Sequence, residues 1–255
     1  MKERSDFVEV EIKVLPDGRP RRLVELAQGA APEGWKMVRK PHVAFFDLYF
    51  DTRDMDLTAR GDHLRVRFGE KALRPKGRYK LFFKDAPDQR EGTPYLSRRE
   101  VRTDLSRAEL LRYRDGSIPG LAADIAYERI GAKGARPPLL PVCLISTFRR
   151  YFTMRHPTLA GTDYLNMGLE QSTAFRAKGL DIDALIETGF IDGPDVGPGH
   201  DFELAEAEMT IEDEPVADAM FDRLVAAFAA EFEVVTTPKY EQCLAALGID
   251  KVNLA

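Results

Sequence analysis

The chain has 255 residues, enough to bury a sizeable core as one large domain or two small ones. It is 44% hydrophobic and 31% charged with a formal net charge of −5, which argues against general nucleic-acid binding. Cys143 and Cys243 make no disulfide framework, no apolar run approaches the roughly 20 residues of a membrane span, and Met1–Asp6 has no signal-peptide core, so a cytoplasmic location is expected.

Phe7 to Val14 alternates charged and branched apolar residues and is read as a strand. Because side chains two apart share a face, Glu9, Glu11 and Lys13 point one way and Val8, Val10, Ile12 and Val14 the other. A short helix is expected over Arg19–Gln28. Strands follow at Val43–Phe50, His63–Phe68, Tyr79–Lys84 and Ser97–Thr103. Ser106 caps a helix over Arg107–Arg114, with Glu109 as the reciprocal partner of a capping box, and Leu121–Ile130 reads as another helix. After a loop at Lys133–Pro138, a long strand runs from Pro141 to Thr153. Tyr164–Glu170 and Phe202–Ile211 bring the strands to eight, with a glycine- and proline-rich loop at Ile191–His200 between them. Val216–Phe232 carries Met220, Leu224, Ala227 and Phe228 at helical spacing. Tyr240–Leu247 is a last helix, stopped by Gly248. No repeat and no clean domain boundary is visible, so residues 1–255 read as a single domain of β-dominated α+β class. Its eight mostly antiparallel strands invite closure into a barrel flanked by helices.

The charged faces carry the chemistry. Glu9, Glu11 and Lys13 stand on the first strand, His63, Arg65 and Arg67 on the third, and Lys80 and Lys84 on the fourth. Arg98, Glu100 and Arg102 follow on the fifth, Arg150 on the sixth, Glu170 on the seventh, and Glu206 and Glu208 on the eighth. Such faces either meet solvent or line a lumen while the apolar faces lie under helices. Acids cluster at the first and last strands and bases between, and that segregation points to binding rather than to scattered surface pairs. Guanidiniums at spacing two form a phosphate clamp, and nearby carboxylates suit Mg²⁺ or Mn²⁺.

On these residues the chain resembles the triphosphate tunnel metalloenzyme superfamily, which includes the CYTH and VTC domain families. Glu9-Val10-Glu11-Ile12-Lys13 matches its N-terminal ExExK signature. Tyr49-Phe50-Asp51-Thr52, Leu57, Gly61 and Leu64-Arg65-Val66-Arg67 match its next strands at the usual spacing. Leu81 to Lys84, Arg98 with Glu100, Phe148 to Arg150, Glu206 to Glu208 and Thr237 to Tyr240 resemble later elements, so the likeness spans about residues 7–247. It departs from the pattern at Arg102, Asn166, Gly168 and Pro238. Glu208 stands where VTC-type polymerases tend to have lysine.

The resemblance implies an eight-stranded antiparallel tunnel with the charges inside and attack at phosphorus on a triphosphate, polyphosphate or nucleoside triphosphate. It implies that Glu9, Glu11, Lys13, Arg65 and Arg67 are catalytic. Lys13, Arg65, Arg67, Lys84, Arg98, Arg150 and Lys239 would hold phosphates, and Glu9, Glu11, Glu206 and Glu208 would hold Mg²⁺ or Mn²⁺. A hydrolase is the first reading. A VTC-type polyphosphate polymerase or a nucleotide cyclase is the second, and a polyphosphate-binding module without turnover the third. The four histidines (His42, His63, His156 and His200) lack metal-ligand spacing, and Trp35 reads as packing. Ser146 and Ser172 lack a nucleophile elbow, and no glycine-rich phosphate loop is present. The apolar stripe of Val216–Phe232 is read as covering the barrel wall, with a homodimer face as the alternative.

Overall fold

The computed structural model describes residues 6–69, 79–88, 95–155, 163–189, 191, 193, 197–210 and 215–249. His156, Ile211 and loop positions 192 and 194–196, named in the sequence analysis, lie outside the described residues. Nine strands are formed by the described residues: β1 (Asp6–Val14), β2 (Lys36–Arg39), β3 (Val43–Asp51), β4 (His63–Gly69), β5 (Tyr79–Lys84), β6 (Leu96–Leu105), β7 (Leu140–Arg155), β8 (Asp163–Arg176) and β9 (His200–Thr210). The helices are α1 (Pro20–Ala30), α2 (Arg107–Leu110), α3 (Leu121–Arg129), α4 (Ile182–Thr188), α5 (Pro215–Glu231) and α6 (Lys239–Leu247).

Eight strands close a barrel in the order β7-β3-β4-β5-β6-β1-β9-β8, and β8 returns to β7. Every pairing is antiparallel. The ninth, β2, lies outside the ring. It pairs with the second half of β7, from Phe152 to Arg155, while β3 takes the first half of the same edge. Pro141 sits where the β3–β7 register shifts beside Phe50, so its missing N–H costs no ladder bond there.

The alternation in the sequence decides which face is which. Leu48, Phe50, Leu64, Val66, Leu81, Phe83 and Val101 point outward and are buried under Leu110, Ala122, Ala126, Tyr127, Leu185 and Ile186 of α2, α3 and α4. On the opposite wall Val10, Ile12, Met167, Ala205 and Ala207 are covered by Leu23 and Ala27 of α1 and by Leu224 and Phe228 of α5. The barrel therefore has its apolar core outside the ring and its charges within, as charged strands demand when both sheet faces are covered. The stripe of α5 covers the wall. One end of the lumen is filled by α6, whose Tyr240, Cys243 and Leu244 pack on Tyr49, Cys143 and Ile145. No described helix is long and apolar enough to cross a membrane.

Candidate functional site

Strand parity gathers the charged side chains around a cavity of about 260 Å³ inside the barrel. Glu9, Glu11 and Lys13 enter from β1, Arg65 and Arg67 from β4, and Lys80, Phe82 and Lys84 from β5. Arg98, Glu100 and Arg102 enter from β6, Arg149 from β7, and Glu206 and Glu208 from β9. Lys239, the first residue of α6, reaches the same space from the plugged end, where its Nζ donates to Glu170 Oε2 at 2.7 Å and to Thr147 Oγ1 at 3.0 Å.

The acids and bases pair across the lumen. Lys84 Nζ lies 2.5 Å from Glu9 Oε2 and 3.0 Å from Glu100 Oε2. Arg98 Nη2 donates to Glu11 Oε1 at 2.5 Å. Lys13 contacts the same Glu11 oxygen and lies 3.3 Å from Glu206 Oε1. Arg149 bonds Glu170 and, through Nη2, Glu206 Oε2 at 3.0 Å. Behind the bases, Asp47 takes Arg67 in a two-pronged grip at 2.8 and 2.7 Å and meets Arg65 at 3.4 Å. Glu100 Oε1 accepts from Arg102 Nε at 2.7 Å.

These contacts set the protonation states. Burial pushes Asp47 and Glu100 upward, but their cations outweigh it. Arg65 and Arg67 hold Asp47 down to about 2, and Lys84, Arg102 and Arg65 do the same for Glu100. Glu11 is likewise held well below the usual carboxylate range by Lys13 and Arg98 despite its burial. Glu208 goes the other way. Burial, with Glu9 and Glu206 beside it, pushes its carboxyl up to about 8. Glu9 is also raised, first by burial. His63 is kept neutral, its pKa pushed down to about 4 by burial.

Of the sequence-predicted residues, Glu9, Glu11, Lys13, Arg65, Arg67, Lys84, Arg98, Glu206, Glu208 and Lys239 all line this cavity. Arg150 does not, which corrects the sequence assignment. It is exposed on the outer face, and Arg149 takes the interior position, in parity with the buried Thr147 and Thr153. Adjacent arginines give a motif no way to choose. The strand's own alternation from Thr147 through Arg149 was the available signal. Sign segregation by strand also holds only in part, because Asp47, Glu100 and Glu170 stand among the bases. Asp47 was missed, although it shares parity with Tyr49 and lies opposite Arg67 in the β3–β4 register.

One departure from the expected motif has a steric cause. Gly168 stands opposite Glu206, and a Cβ there would come within 2.9 Å of Arg149 Cδ and Nε. The Arg149 side chain crosses the bare backbone of β8 to reach β9.

Comparison with known proteins gives three findings. The CYTH domain model matches residues 8–167. No curated protein matches the chain. Among solved structures, a candidate adenylate cyclase from Bacillus halodurans is 18% identical with a TM-score of 0.53, covering 94% of this chain and 98% of that one. A candidate adenylyl cyclase from Hippeastrum with a dominant triphosphatase activity is 14% identical with a TM-score of 0.49, covering 94% and 95%. At 18% identity the first of these likenesses is one of fold.

Proposed function

This chain belongs to the CYTH domain family, and on that premise we propose that it is a metal-dependent phosphohydrolase of linear triphosphates. The observation that carries the reading is charge. Nine cations (Lys13, Arg65, Arg67, Lys80, Lys84, Arg98, Arg102, Arg149 and Lys239) and five carboxylates line one cavity. Even with Asp47 and Glu170 counted from behind, the cations remain in excess, which suits a polyanion threaded through the barrel.

The donor set also fits a hard divalent cation. Glu9, Glu11, Glu206 and Glu208 offer carboxylate oxygens of the kind Mg²⁺ and Mn²⁺ take, and Glu11 Oε2 is buried with no hydrogen-bond partner. Among the described residues no three such groups form a ready cage. Glu9, Glu11 and Glu206 are engaged instead by Lys13, Lys84, Arg98 and Arg149. Phosphate oxygens would take these cations in exchange, and Glu9, Glu11, Glu206 and Glu208 would then be free to hold the metal. Bound there, such an ion neutralises phosphate charge and acidifies water.

The protein's own residues do the remainder. Arg65 and Arg67, fixed from behind by Asp47, grip phosphate oxygens, as do Lys84, Arg98 and Arg149. Lys13 and Lys239 take the outer phosphates. Glu208, once deprotonated, serves as ligand or as acceptor of a water proton. Catalysis is chiefly positioning and charge stabilisation. The test is product analysis with tripolyphosphate, ATP and long polyphosphate, with Mg²⁺ or Mn²⁺ and with chelator. Orthophosphate released from tripolyphosphate only with metal supports the reading. A lengthened chain, a cyclic nucleotide, or tight binding without turnover would each replace it.

A further inference from the structure

Two phenyl rings stand inside a lumen lined chiefly by charge, with Tyr49 and Tyr240 toward the end that α6 fills. Phe82 occupies the inward parity of β5 between Lys80 and Lys84 and is 5% exposed; Phe45 holds the same parity on β3 and is 7% exposed. Phe50 of β3, Phe68 of β4 and Tyr79 and Phe83 of β5 face outward under the helices, while Tyr49 of β3 faces inward and is stacked on Tyr240. The two inward rings are covered by guanidiniums. Arg65, Arg67 and Arg102 lie 5.1, 5.5 and 5.3 Å from the Phe82 centroid. Arg67 lies 4.0 Å and Arg149 5.5 Å from that of Phe45.

We propose that Phe82, with Phe45 beside it, is a positioning residue that spaces the tunnel's arginines for the phosphate chain. The inference rests on the reading of the cavity as a phosphate site. A guanidinium is a planar fork, so two constraints orient it. Carboxylates fix one edge: Asp47 takes Nε and Nη2 of Arg67, and Glu100 takes Nε of Arg102. The ring fixes the plane, because its negative face attracts the cation. With edge and plane both set, the remaining N–H groups stay directed and less entropy is lost when phosphate arrives. The ring also separates like charges that would otherwise repel.

The test is calorimetric binding of tripolyphosphate, with steady-state kinetics on the same substrate, for wild type, Phe82→Leu, and protein carrying mono-, di- and trifluorophenylalanine at position 82. Fluorination drains the ring face while nearly preserving its shape, so a packing role would not respond to it. Phe82→Leu is expected to weaken binding about tenfold, with KM raised by more than kcat falls. The fluorinated series is expected to weaken binding stepwise at constant Tm. Equal affinity across the series would overturn the inference and make Phe82 a filler. If Phe82→Leu does not fold, the fluorinated series decides alone. Wild type that binds tripolyphosphate without turnover would sink the hydrolase reading, yet the affinity series would still score this inference. Wild type that does not bind would sink both.

Discussion

Arg149 and Arg150 are neighbours in sequence on opposite faces of β7, and they separate the tunnel reading from the motif. Arg149→Ala takes away one of the two cationic partners of Glu206 and of Glu170, leaving Lys13 and Lys239, so it should cost about 3 kcal/mol of stability in urea titration. Arg150→Ala, on the exposed face, should stay within about 0.5 kcal/mol. Gly168→Ala should push the Arg149 side chain off its path and raise the KM for tripolyphosphate, while an outward-facing change at Leu169 should not. Glu208 gives a pH signature. Its folded pKa is raised to about 8 from an ordinary 4.5, so its stabilising effect is full below 4.5 and lost as pH rises through 8. Glu208→Gln should flatten that decline in denaturation between pH 6 and 9. Most of these residues were legible because strand parity is periodic. Arg149 and Asp47 were not, because motif matching ignores parity in one case and the partner across the register in the other.

Among the elements, α6 does two things at once. It fills one end of the lumen and delivers Lys239 from its first turn. Tyr240 anchors it, stacked on Tyr49 at 4.5 Å with its ring edge on His63. Tyr240→Ala should lower stability by about 3 kcal/mol and raise the KM for tripolyphosphate, since Lys239 loses its footing. The helix itself was readable from Gly248, which ends it at φ 59°. Two other elements were not read. β2 is four residues long, too short for alternation to show, and it exists because β7 outruns β3 and leaves an edge to pair. α4 covers only seven residues, too few for helical spacing to stand out, and its signals are Asp181 accepting from Ala184 N–H and Gly189 as the stop. The α2 capping box formed as expected, but the helix turns to 3-10 geometry at Leu111.

At the scale of the molecule, closure was legible as a count of strands with one inverted pattern, whereas the order of the ring was not, because register depends on contacts between distant segments. That order matters for how the chain is made. β1 is bordered by β6 on one side and β9 on the other, with Glu9 opposite both Arg98 and Thr210. Once synthesised, β1 thus has neither of these neighbours until β6 emerges and then β9, an interval on the order of 10 s at ribosomal speed. A bare strand of alternating valine and isoleucine is an invitation to aggregate over that time. Glu9, Glu11 and Lys13 break the run at every second position, so the residues that later face the tunnel first act as gatekeepers for the nascent chain.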